Sequence, residues 1–158
     1  MKKLVEDKAK LLVSLLIVIV LILSLGLFKK NHNSKILTIG GKIEVGVKVA
    51  RKPAELAQGY SNHSPISDHE GMLFIMPNTA LHTFWMKNML FDLDFIYINN
   101  NKVVDLIENV PCPANYNGQT YIVNPQKAFN KVLEVKSGFV KNNKIKVGDL
   151  IELKEKTS

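Results

Sequence analysis

The sequence contains a single cysteine, Cys112. An intramolecular disulfide is therefore excluded, and so is a metal site built on four thiolates. Tryptophan is as scarce, with Trp85 alone. The chain has no glycine-rich phosphate loop, no serine elbow and no dinucleotide fingerprint, which removes the familiar signatures of nucleotide chemistry and acyl transfer. Internal repeats and low-complexity segments are also missing, so one unrepeated domain is the expectation for 158 residues. A net charge of +7 would invite a nucleic-acid reading, but no run of Lys and Arg with interleaved aromatics is present, and no nucleic-acid partner is expected.

The charge has a simpler location. Residues 1–35 carry seven lysines against Glu6 and Asp7, whereas 36–158 carry fourteen basic side chains against twelve acidic. Most of the basicity flanks one apolar run, Leu11 to Phe28, diluted only by Ser14, Ser24 and Gly26. Such a run, taken as a helix, rises roughly 27 Å at ~1.5 Å per residue, close to the ~30 Å of a bilayer's hydrocarbon core. It is apolar on every side, unlike a surface helix. The expected organisation is a cytoplasmic segment 1–10, a transmembrane anchor 11–28 with the bilayer as its partner, a linker 29–35, a β domain 36–154 and a tail 155–158. Four lysines before the run against three after it place the amino end in the cytoplasm and the domain outside. Cleavage near Gly26, with secretion, is the alternative. No cysteine follows the run to carry a lipid.

Beyond the linker, Ile43, Val45, Val47 and Val49 alternate with polar residues, as on a half-buried strand. Gly40-Gly41 marks a turn or bulge before them. Pro53 and Gly59 bracket a short helix, and 60–70 is a polar loop. Gly71 to Met76 is apolar throughout, as expected of a strand buried on both faces, and Pro77-Asn78 is expected to break it. Further strands are expected at 82–86, 95–98 and 102–107, the last two joined by Asn99-Asn100-Asn101 as a hairpin. Residues 109–130 read as a long loop. A strand at 132–135, a turn or helical segment at 137–140 and a last strand at 150–153 complete the chain. The fold class this predicts is mainly β, a compact sandwich or barrel-like domain with one or two short helices.

Gly71-Met72-Leu73-Phe74, Phe84-Trp85-Met86-Lys87-Asn88 and Leu93-Asp94-Phe95-Ile96 together resemble the signature of the family called domain of unknown function 192. Val132-Leu133-Glu134-Val135 with Gly138, and Ile145 to Asp149, are similar to its closing motifs, and Ala54 to Gly59 to its opening helix. The resemblance spans roughly 43–153. It implies a small, mainly β domain, often behind an export or anchor segment, and supplies no activity. The chain departs from the pattern at Met89, where the family has Thr, at Asp92, where it has Pro, and at Tyr60-Ser61, where it tends to Leu-Met.

Trp85 is expected chiefly in the core, or as the wall of a pocket. Lys87 closes a core strand; it is expected to be exposed or to pair with Asp92 or Asp94, and its functional reading is a cation facing a ligand. Asn88 reads as a turn former whose amide could fix a ligand. A carboxylate at Asp94, inside an apolar strand, needs solvent, hydrogen bonds or a partner. Trp85, Lys87, Asn88 and Asp94 are thus the candidate ligand-binding residues, and a cell-envelope glycan, small polar molecule or protein is the expected ligand. Two other readings stand beside this one: a hydrolase using Asp94 with Asp92, or Cys112, and an assembly partner without a pocket. Cys112, between two prolines, is expected to be exposed and inert. His63, His69, Glu70 and His82 supply zinc-ligand types but no metal spacing, so neither metal nor cofactor is expected.

Overall fold

The computed structural model describes residues 35–155. The segment 1–10, the apolar run 11–28, the linker as far as residue 34 and residues 156–158 lie outside them, and Lys35, expected in the linker, opens the first strand. Among the described residues no helix is long and apolar enough to cross a membrane.

The chain runs β1 (Lys35–Ile39), β2 (Ile43–Ala50), α1 (Pro53–Gln58), β3 (Glu70–Ala80), β4 (Phe84–Trp85), β5 (Leu93–Asn99), β6 (Lys102–Val110), a 3-10 turn (Pro113–Asn115), β7 (Ile122–Val123), β8 (Phe129–Lys136), α2 (Phe139–Asn143) and β9 (Ile151–Glu155). Seven strands form one sheet in the order β6-β5-β8-β3-β2-β1-β9, and β4 pairs with β7 in a separate ribbon. The two outer strands of the large sheet meet at one end. Lys102 bridges Leu150, and the Val103 and Ile151 amides donate to the carbonyls of Asp149 and Asn101 at 2.9 and 2.8 Å. Of the two expected architectures, the curled sheet realises the barrel-like one.

Local chemistry accounts for the connections. Gly40 and Gly41 both have positive φ, which glycine adopts without steric cost, and they turn β1 into β2 as a hairpin. β2 and β3 are parallel. A parallel pair needs a crossover, which α1 and the polar loop after it provide. Pro77 does not end β3 as expected. The strand continues to Ala80, but its pairing with β8 is interrupted between Ile75 and Ala80, consistent with a residue that has no N–H to donate. β4 is shorter than the expected 82–86 strand, because only Phe84 and Trp85 find partners, in Val123 and Ile122.

The side chains of β3, β5 and β8 alternate between two cores. Leu73, Ile96, Ile98, Leu133 and Val135 face the inside of the curl, with Leu37, Val45 and Ile151 from the outer strands and Phe139 and Val140 from α2. Met72, Phe74, Phe95, Tyr97 and Val132 face outward. The outward face is covered by two irregular segments, 82–91 and 111–125, which lay Met86, Met89, Cys112 and Val123 upon it. Phe84 packs edge-on to Phe74 and Phe95, with ring centroids 5.7 and 5.8 Å apart. Each fully buried aromatic contributes about 1.5–3 kcal/mol by burial, with about 0.5–1.5 kcal/mol more per well-placed ring pair.

Gly71 sets the spacing between β3 and β8. A Cβ there would stand 2.9 Å from the Glu134 carbonyl oxygen and 2.9 Å from Leu133 Cδ1. Gly71→Ala must push β3 from β8 in the middle of the sheet. It is expected to lower stability by about 1–3 kcal/mol, read as a lower urea midpoint with an unchanged m-value.

Candidate functional site

The sequence-predicted residues do not gather in one place. Trp85 is 57% exposed, which corrects the expectation of a core tryptophan: on a two-residue strand lying over the outer core, Phe84 turns toward the aromatics and Trp85 turns away. Lys87 is exposed, with its Nζ 5.9 Å from the centre of the Trp85 ring, within cation–π range. Among the described residues it makes no ion pair with Asp92 or Asp94. Asn88 holds φ at 58°, which Asn tolerates better than most residues. Its carbonyl accepts the Asn62 amide at 2.8 Å, and the Lys87 carbonyl accepts the Ser61 hydroxyl at 2.8 Å. The 86–89 turn is thereby fastened to the loop after α1.

Asp94 and Asp92 hold the fold together. Asp94 is fully buried. Its carboxylate accepts the Asn109 amide at 2.8 Å and the Val140 amide at 2.9 Å, tying the end of β6 and the first turn of α2 to β5. Alternation along β5 points Asp94 toward the core that α2 covers, opposite the face on which Trp85 lies. Asp92 accepts the Cys112 amide at 2.7 Å and the Asn115 side-chain amide at 2.9 Å, fixing the 3-10 turn. Asp92 precedes β5 rather than lying in it, so the two-residue spacing does not place both carboxylates beside one ligand. Cys112 is buried in the outer core, against the expectation of an exposed thiol. Among the described residues, no group of three or more His, Cys, Asp or Glu side chains is placed to hold a metal ion.

The structure picks out a residue that the pattern did not. Glu134 follows Leu133 in β8, and alternation sends it to the outward face with Val132, among aromatics. It is only 6% exposed, and among the described residues its carboxyl has no hydrogen-bond or ion-pair partner. Burial pushes the Glu134 carboxyl up to about 8. The Tyr60 and Tyr97 hydroxyls are driven well above their usual range, first by burial and then by the nearby Glu134 charge, with Glu70 adding to the effect at Tyr60 and Asp105 at Tyr97. The Tyr97 hydroxyl is itself buried without a partner.

Glu134 reaches a narrow cleft between α1 and the 82–91 segment. The cleft has a volume of about 30 Å³ and is walled by Leu56, Tyr60, Phe74 and Trp85. An apolar groove of about 180 Å³ adjoins it, sharing Leu56, Phe74, Phe84 and Trp85 and adding Met76 and Thr83. Gly59 keeps the approach open. Its φ is 49°, and a Cβ there would stand 3.2 Å from the Phe74 ring and 4.0 Å from Glu134 Oε2. The signal available in the sequence was a charged residue inside Val132-Leu133-Glu134-Val135, where every neighbour is apolar.

The raised carboxyl has a consequence for stability. Below about pH 4.5 both folded and unfolded chains are protonated at Glu134. Between about 4.5 and 8 the unfolded chain loses its proton while the folded chain keeps it, so stability falls as pH rises and levels off above about 8. Glu134→Gln cannot ionise. The variant is expected to match the wild type near pH 4 and exceed it at pH 8.5, by up to about 1.4 kcal/mol per unit of pKa difference. Urea unfolding at the two pH values measures this, and parallel profiles for the two proteins would contradict it.

The model of the family domain of unknown function 192, described as "Uncharacterized ACR", matches residues 35–153. No curated protein sequence matches the chain. Two crystal structures are similar in fold. One is a protein from Sinorhizobium meliloti 1021 described as a candidate transcription regulator, with a TM-score of 0.68, 24% identity, and 76% of this chain and 93% of that one covered. The other is a protein of unknown function from Novosphingobium aromaticivorans DSM 12444, with a TM-score of 0.67, 26% identity, and 74% and 83% covered. The family-model match over residues 35–153 covers nearly all of the described sheet, and the chain belongs to the domain of unknown function 192 family.

Proposed function

We propose that this chain is a membrane-tethered domain that faces the cell envelope and binds a small ligand in the cleft beneath Trp85. The observation that carries the binding is the Glu134 side chain, 6% exposed and lining the cleft, whose carboxyl bonds to no protein group among the described residues. A carboxyl open to the cleft and left unbonded by the protein is available to a ligand entering between α1 and the 82–91 segment. Trp85, exposed at the mouth, supplies a large apolar face, and Lys87 beside it supplies a charge that a polar ligand can meet. Asn88 supports the site through the turn that carries Lys87. Asp94 supports the sheet on the other face.

The hydrolase reading has less to stand on. The Asp92 and Asp94 carboxylates are each committed to backbone amides, and Cys112 is packed among apolar side chains. The tether rests on the apolar run 11–28 and its lysines, which favour the amino end in the cytoplasm and the domain outside.

Two arms test this reading. Full-length protein purified in mild detergent is denatured, and the released small molecules are identified by mass spectrometry. Wild type is expected to carry a compound that Trp85→Ala loses without a change in melting temperature of more than a few degrees. Protease added outside intact cells is expected to remove the domain. Equal small-molecule content in the two proteins would contradict the site, and full protection would contradict the orientation.

A further inference from the structure

The cleft has a composition that selects among ligand chemistries, and the argument rests on the binding reading above. Its floor is a carboxyl group and its walls are aromatic: Glu134 lies among Tyr60, Phe74, Phe84 and Trp85. Aromatic faces carry partial negative charge and attract cations. A carboxylate buried without a counter-charge attracts them more strongly, because low polarity around it leaves the field unscreened. Among the described residues no cation already fills this role. The nearest on its own strand, Lys136, is paired with Asp68 at 2.8 Å, and Lys131 bonds to the Asn100 carbonyl and, at 3.1 Å, to the Asn101 side chain. On α1, Glu55 is turned back to the Arg51 and Lys52 amides at 3.0 and 3.1 Å. Tyr60 from the loop after α1 and Tyr97 from β5 are near enough for the Glu134 charge to raise their hydroxyls, which burial already holds neutral through the physiological range. Lys87 lies over the outer Trp85 ring.

We infer that the cleft is a site for a primary ammonium group joined to an apolar body, with Glu134 as counter-ion and the groove along Phe84 and Met76 as the seat of the body. Size supports the primary amine. The cleft lined by Glu134 offers about 30 Å³, against roughly 10–15 Å³ that a single water-sized group needs on the same measure, so a compact ammonium group fits and a bulkier trimethylated nitrogen is disfavoured. The larger groove beside it, about 180 Å³, has room for a ring or short alkyl chain, and Leu56, Phe74 and Met76 give it an apolar lining. Gly59 matters for access, since any side chain at that position would project over the carboxyl.

Binding has a proton balance. In the free protein near pH 7 the carboxyl holds its proton. An ammonium ion that docks against it stabilises the carboxylate, so one proton leaves to solvent as the ion pair forms. Affinity therefore rises with pH up to about 8, by about tenfold per pH unit in the limit of full proton release.

The test uses the full-length chain in detergent and three probes with the same ring: 2-phenylethylamine, 2-phenylethanol and 3-phenylpropionate. Isothermal titration calorimetry at pH 6 and 7.5, in two buffers of different ionisation enthalpy, counts released protons. The amine is expected to bind tightest, to tighten with pH and to release close to one proton at the lower pH. Glu134→Gln is expected to lose the pH dependence and at least about tenfold in affinity. Alcohol or carboxylate binding as tight as the amine, or binding independent of pH, overturns the amine assignment while the cleft remains a ligand site. Absence of binding by all three also overturns it, and if the wild-type chain carries no compound that Trp85→Ala loses, the binding reading falls as well. The ranking of the three probes on the unaltered chain stands whether or not Glu134→Gln folds.

Discussion

The paired middle of β3, β5 and β8 is buried on both faces, and the remaining architecture follows from that constraint. Their inward side chains are covered by curling the sheet and closing it where Lys102 meets Leu150, with Phe139 and Val140 of α2 packed inside. Their outward side chains, Phe74, Phe95 and Tyr97 among them, are too apolar to leave in water, so two irregular segments must lie over them. Irregular backbone covering a core has to be fastened, because it lacks the repeating bonds of a sheet. Asp92, Ser61 and Asn62 do the fastening through hydrogen bonds of 2.7–2.8 Å, while Asp94 ties β6 and α2 to β5 on the other face. Hydrogen bonds to the carboxylates contribute about 1.5–3 kcal/mol each, and the neutral ones about 0.5–1.5 kcal/mol.

The covering is incomplete beside α1. Where the 82–91 segment passes α1 it leaves the cleft over Glu134. A Leu or Met in β8 at that position would close the outer core in apolar contact. A carboxyl there instead raises the cost of folding as pH rises, so the fold retains at position 134 a group that its own packing does not need. The proposed ligand site is thus the place where covering and core fail to match, a common relation between unsatisfied groups and binding.

Much of the sheet was legible because alternation is a local signal. Ile43 to Val49, Gly71 to Met76 and the hairpin through Asn99-Asn100-Asn101 are strands for reasons contained within a few residues. Gly40-Gly41 and Asn88 carry their turn geometry in their side chains, or lack of them. The burial of Cys112, the exposure of Trp85 and the destinations of the Asp92 and Asp94 carboxylates depend on partners fifteen or more residues away, Asn109 and Val140 for Asp94 and Cys112 for Asp92. No local pattern reveals them. Glu134 was half legible: a charged residue within an apolar strand is visible in the sequence, but that it lacks a partner is a fact about Tyr60, Phe74 and Tyr97 converging from other elements. Within Phe84 to Asn88, Phe84 and Met86 pack into the outer core while Trp85 is exposed and borders the cleft lined by Glu134 of another strand.

The protonation of Glu134 is the point on which stability, binding and ligand class all depend, and it can be read directly. Full-length protein labelled with carbon-13 at the glutamate side-chain carboxyl, with Glu134→Gln used to assign the resonance, gives a titration curve for that group alone. A midpoint near pH 8 is predicted. A midpoint near the ordinary 4.5 would mean that the carboxyl is solvated or already paired in the folded chain, and would contradict the account of the cleft.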